Sequence, residues 1–112
     1  NLQGDAAFLL YDESTSANWQ MSTAQGATRT TTASGTAVAA ATWLRVEVVV
    51  NAAASSAEFF VDGVSLGTVA TNIPSGTQKT GVGFRIHKST GATARTLEVD
   101  YVHARCEFTS AR

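Results

Sequence analysis

Cysteine occurs once, at Cys106, so no internal disulfide can brace this chain and the disulfide-rich secreted scaffolds are excluded. Stability must come from packing. Charge is equally sparse: eight Lys and Arg stand against nine Asp and Glu, a formal balance of -1. No basic run could neutralise a row of phosphates, so nucleic acid is not an expected partner. Apolar runs such as Ala37 to Ala41 and Val48 to Val50 fall far short of the roughly 20 residues a membrane-crossing helix needs, and no membrane partner is expected. The start lacks a charged segment followed by an apolar stretch, so no signal peptide is expected, and a first residue of Asn1 rather than Met suggests a processed or truncated chain. Proline appears only at Pro74, and Leu, Lys and Glu, which helices favour, are scarce.

What is present favours sheet. The 112 residues are 44% hydrophobic and 15% charged, the composition of a folded chain rather than a disordered one, and the length suits a single domain spanning 1–112. Thr, Ala, Ser, Val and Gly dominate. From Trp43 to Asn51 the residues Leu44, Val46, Val48 and Val50 share one parity while Arg45, Glu47 and Asn51 take the other, which predicts a half-buried strand. Glu58 to Val61 and Val64 to Val69 flank Asp62-Gly63, and Asp-Gly between β-rich runs predicts a tight type I′ hairpin. Further strands are expected at Ala6 to Tyr11, Asn18 to Thr23, Ala27 to Ala33, Lys79 to Lys88 and Ala94 to Phe108, with Ala37 to Thr42 extended rather than helical. In the last strand Leu97, Val99 and Tyr101 share one face and Val102, Ala104, Cys106 and Phe108 the other, which predicts a bulge near Tyr101. Seven or eight strands without helical periodicity indicate an all-β, antiparallel β-sandwich.

Catalytic signatures are few. Glu98 and Asp100 stand two apart, so on a strand their carboxylates share a face, as paired acids acting on a glycan must. Solvated acids, or ion pairs with Arg45, Arg85 or Arg95, explain them as well. His87 and His103 belong to no cluster able to hold a metal, Asp12 and Glu13 form no calcium loop, and no phosphate loop or nucleophile elbow is present. No metal or cofactor is expected. Cys106, flanked by Arg105 and Glu107, reads as a small buried hydrophobe. Trp19 shares its parity with Met21 and is expected in the core, while Trp43 opens its strand and suits either the rim or the underside of a loop. If the strands of Arg45 and Glu47 and of Arg85 and His87 pair, those four side chains form a charged patch able to hold a glycan or a neighbouring protein. Cross-strand salt bridges in solvent explain the same four residues.

Four segments in order, Trp43-Leu44-Arg45-Val46-Glu47-Val48, Ala57-Glu58-Phe59-Phe60-Val61-Asp62-Gly63, Asn72-Ile73-Pro74 and Leu97-Glu98-Val99-Asp100-Tyr101-Val102, carry a family likeness. Together they resemble the second half of concanavalin A-like lectin/glucanase and laminin G-like jelly rolls. The likeness is strongest to versions found in tailed-bacteriophage tail fibres and capsid decoration or head-fibre proteins, where Asn18-Trp19-Gln20 and Ile86-His87-Lys88-Ser89-Thr90-Gly91 also have counterparts. It spans roughly residues 18 to 105, and its motifs speak for fold more than for activity.

Hydrolases of that family, the laminarinase type, carry Glu-x-Asp-x-Glu on one strand face, and here the third position is Val102. The resemblance therefore implies a binding or structural module rather than an enzyme: a virion surface protein attached to other virion proteins or to copies of itself. Alternatives are a carbohydrate-binding module using Arg45, Glu47, Arg85 and His87, and a degenerate glycan hydrolase. Full domains of the family are longer, so N-terminal strands are expected to be missing, truncated or supplied by another chain. A homo-oligomer that covers the exposed sheet edges is expected.

Overall fold

A computed structural model of the chain describes residues 4–75, 81–88 and 91–106. The chain divides into two units, Asn1–Gln78 and Lys79–Arg112. The described residues contain no helix, and the first unit holds two antiparallel three-stranded sheets. One sheet is β1 (Ala6–Leu10), β2 (Asn18–Gln25) and β3 (Thr28–Ala37); the other is β4 (Val46–Val50), β5 (Ala57–Val61) and β6 (Val64–Val69). All four ladders join strands adjacent in sequence. The all-β expectation holds at this level, with six strands among the described residues.

Local chemistry accounts for the two tight hairpins. Gln25 faces Thr28 across Gly26 and Ala27, with Gly26 at φ 60° and its N–H donating to the Asp5 carboxylate at 2.8 Å. Val61 faces Val64 across Asp62-Gly63, whose φ values of 51° and 80° are the positive pair that a type I′ turn requires. Asp62 does a second job there. Its carboxylate accepts the Arg45 N–H at 2.8 Å while its own N–H donates to the Arg45 carbonyl at 2.8 Å, tying the hairpin to the residue that leads into β4. Asp62→Ala should therefore lose about 1–2 kcal/mol, since it removes an acceptor and places alanine at positive φ. Urea denaturation checks this, and an unchanged midpoint would contradict the role assigned to the carboxylate. A third connection, between β4 and β5, is organised by Asn51, whose side-chain oxygen accepts the N–H groups of Ser55 and Ser56 at 2.8 and 3.2 Å.

The core lies between the sheets. Met21 from the first sheet packs with Ala57, Phe59 and Val69 from the second and with Ile73 from the following segment, flanked by Ala7, Leu9, Val48 and Leu66. The register explains the selection: Val46, Val48 and Val50 face Val61, Phe59 and Ala57, so these six residues lie on one face of the second sheet. The opposite face carries Glu47 against Phe60 and Val49 against Glu58. A bulge between Phe59 and Phe60 lets Leu66 reach the core and puts Gly67 opposite Phe59. Met21 lies over Gly67, so closely that a Cβ there would stand 3.3 Å from Met21 Cε.

Strand β2 is buried on both faces from Gln20 to Ala24. Its core face carries Met21 and Thr23, and the Thr23 hydroxyl donates to the Thr71 carbonyl at 2.7 Å. Its other face carries Gln20, Ser22 and Ala24, which are shielded from either side. Phe8 lies opposite Ser22 on β1, Arg29 lies opposite Ala24 on β3, and the Arg29 guanidinium sits 5.2 Å from the centre of the Phe8 ring. The pair roofs the small central side chains.

Several expectations need correction. The ladder of β4 covers only Val46–Val50 rather than Trp43 to Asn51, and Trp43 is 67% exposed. Ala37 to Thr42 is not continuously extended: β3 ends at Ala37, and Ala41 takes φ 53° in a turn. Trp19 is only half-buried and stands outside the core cluster, because the β2–β3 register shifts between Asn18 and Gln20.

In the second unit the described residues 81–88 and 91–106 form no ladder, although strands were expected over 79–88 and 94–108. Period-two patterning selects a face for burial but does not supply a hydrogen-bonding neighbour. Here Val82, Phe84, Ile86, Leu97, Val99, Tyr101 and Val102 are all exposed, so no change of buried face occurs near Tyr101. Cys106, expected to be buried, is likewise an exposed free thiol. The hairpin connection expected at 89–93 falls partly outside the described residues; within them Gly91 has φ 84° and the Lys88 ammonium donates to the Thr93 carbonyl.

Candidate functional site

Arg45 and Glu47 belong to the first unit, and Arg85 and His87 to the second. All four are exposed. Arg45 is fixed through its backbone by Asp62, and its side chain extends over the hairpin turn, where a Cβ on Gly63 would lie 3.3 Å from Nη2. Glu47 lies on the outward face of the second sheet, opposite Phe60. The neighbouring Glu58 of that face accepts a 2.7 Å hydrogen bond from Ser65. Among the described residues β4 pairs with β5 alone and residues 81–88 join no ladder, so the strand pairing that would align the four side chains is not among the described ladders. Glu98 and Asp100 are exposed in the second unit on a segment that forms no ladder. Among the described residues, no three His, Cys, Asp or Glu side chains gather in a set that could hold a metal ion.

A more organised polar site lies elsewhere, on the outward face of the first sheet. Gln20 forms its floor, flanked in register by Leu10 on β1 and Ala33 on β3. Arg29 and Thr31 from β3 make one wall, and Asp12, Thr15 and Ser16 from the β1–β2 connection make the other, enclosing an open groove of about 560 Å³. The connection is preorganised by Asp12. Its carboxylate accepts the Ser14 N–H at 3.0 Å, the Ser14 hydroxyl at 2.6 Å and the Thr15 hydroxyl at 3.0 Å, while its carbonyl accepts the N–H groups of Thr15 and Ser16. Those donors, the Ser14 hydroxyl first among them, hold the Asp12 carboxyl below its ordinary value of 3.8, so it remains an anion at neutral pH.

Gln20 is 95% buried, being 5% exposed, yet its side-chain Nε2 has no hydrogen-bond partner. Leaving a buried donor unpaired costs about 1–3 kcal/mol, so such atoms occur rarely in folded chains. The Trp19 Nε1 next to it is also buried without a partner. Sequence reasoning missed this groove because it followed charge and aromatics. The available signal was polar: Gln20 and Ser22 alternate with Met21 and Thr23, so one strand carries an amide and a hydroxyl on one face and a hydroxyl on the other.

The chain matches the family model described as SO2946-like, C-terminal domain over residues 1–100, and it belongs to that family. No curated protein and no solved structure matches it.

Proposed function

We propose that this member of the SO2946-like, C-terminal domain family is a non-enzymatic structural module of a virion surface, a concanavalin A-like jelly roll that attaches to other virion proteins or to copies of itself. The observation that supports this reading is the apolar surface along β4. Among the described residues that strand pairs with β5 alone, and it exposes Val46, Val49 and Val50, with Trp43 exposed just before it. A sheet edge that carries exposed apolar side chains, Val46 and Val50 on one face and Val49 on the other, favours association. Chains built into a particle bury such edges against neighbours. The four-segment likeness to phage tail-fibre and decoration modules supports the same reading, and Val102 in place of a third acid argues against hydrolysis.

Two measurements test the proposal. An antibody against the chain should label the capsid or tail of tailed particles in a lysate of cells carrying its gene; label confined to particle-free fractions would overturn the virion reading. Sedimentation at several concentrations should show an oligomer that Val49→Lys dissociates while the circular dichroism of the sheets is retained. A concentration-independent monomer would count against self-association.

A further inference from the structure

We propose that residues 81–88 of one copy pair antiparallel with the open edge of β4 in a second copy, placing Arg85 opposite Glu47. The inference rests on the self-association part of the reading above and names the segment that covers that edge. Two features motivate it. Among the described residues β4 pairs with β5 alone, and Val46 and Val50, although on the face that carries Val48 to the core, remain 44% and 43% exposed. The core is therefore open at this edge. Residues 81–88 have the complementary shortage: Val82, Phe84 and Ile86 recur at every second position, each between 51% and 56% exposed, and the segment joins no ladder. An extended segment with an apolar face gains most from a hydrogen-bonded neighbour whose own apolar residues continue that face.

Register selects this segment and its direction. With Val48 opposite Phe84 in the antiparallel sense, Val46 meets Ile86 and Val50 meets Val82, so three apolar pairs continue the core face of β4. The same alignment sets Glu47 opposite Arg85 and Val49 opposite Gly83 on the outward face. Opposite charges facing each other across a ladder are favourable. Extending the alignment by two residues brings His87 opposite Arg45, whose guanidinium lies beside Gly63 of the hairpin turn. A parallel alignment of the same apolar residues would set Glu47 opposite Gly83 and lose the charge pair. Residues 97–102 also alternate, but pairing Leu97, Val99 and Tyr101 with the three valines sets Glu47 opposite Glu98 in one direction and Asp100 in the other. Like charges directly opposed are destabilising. Two copies of β4 joined about Val48 would set Glu47 against Val49 and leave Val82, Phe84 and Ile86 uncovered.

Disulfide trapping tests the pairing in the full chain, in a Cys106→Ser background that removes the exposed native thiol. Opposed residues of an antiparallel ladder have Cα atoms about 4.5–5.5 Å apart, within the roughly 4.4–6.8 Å that a disulfide spans. Chains carrying Glu47→Cys and chains carrying Arg85→Cys, co-expressed and oxidised, should form a mixed covalent dimer. By sedimentation of the uncross-linked protein, Glu47→Arg and Arg85→Glu should each weaken association about fivefold, and the chain with both reversals should recover it. A covalent dimer of Glu47→Cys chains alone would mean that β4 meets β4 and would overturn the proposal. So would a bridged monomer from a chain carrying both cysteines, which would mean that the segment covers its own β4. An oligomer that yields no mixed disulfide would overturn this pairing while leaving self-association standing. A monomer at every concentration would overturn both.

Discussion

Phe59→Ala should destabilise the chain by about 3–5 kcal/mol, the range for deleting a buried aromatic side chain. Phe59 has no exposed surface, sits at the centre of β5 and contributes the largest side chain of the buried cluster. A small domain has only about 5–15 kcal/mol in total, so the variant should be largely unfolded at temperatures the parent tolerates. The adjacent Phe60 provides the internal control. It points to the other face of β5, opposite Glu47 and Ser65, and is only half-buried. Phe60→Ala should cost well under half as much. Urea denaturation of the two variants in parallel compares them directly, and similar losses would mean that the face assignment of β5 is wrong.

The second large effect is expected at Gly67, where backbone and packing constraints coincide. Its φ of 135° lies where residues with a side chain are strained, and a Cβ would stand 3.3 Å from Met21 Cε and 3.5 Å from Met21 Sδ. The thioether end of methionine is flexible and can yield by a few tenths of an ångström, so the backbone term should dominate. Gly67→Ala should lose about 1–3 kcal/mol. A double-mutant cycle separates the two causes. If strain dominates, the losses of Gly67→Ala and Met21→Ala should add to within about 0.5 kcal/mol despite their contact; a clearly smaller combined loss would assign the effect to steric crowding.

The parts of this fold legible in the sequence are those fixed locally. Asp62-Gly63 announces its turn because few dipeptides accept positive φ twice, and the β5 and β6 runs beside it follow from the turn and from alternation. The pattern of β4 was legible only in part. Its valines alternate as a half-buried strand should, but Val46 and Val50 remain substantially exposed because burial depends on what lies across the sheet, which alternation does not encode. The same reasoning explains residues 81–88: Val82, Phe84 and Ile86 alternate cleanly and still form no ladder. At the groove the difficulty was different. Gln20 is an ordinary polar residue in sequence, and it becomes informative only when its burial and lack of a partner are both known.

The two meanders carry a consequence for how the chain reaches this state. In each sheet one ladder closes over two residues, Gly26-Ala27 or Asp62-Gly63, and the other over a short connection, residues 11–17 or 51–56, so little chain entropy is lost in forming either sheet. Contacts distant in sequence are concentrated where the sheets meet, in Met21 over Gly67 and in the Thr23 hydroxyl on Thr71. Zipping within each meander can thus precede closure between them, and the slow event is the search that brings β2 onto β6. Gly67, by leaving room for Met21, sets how close that final approach can be.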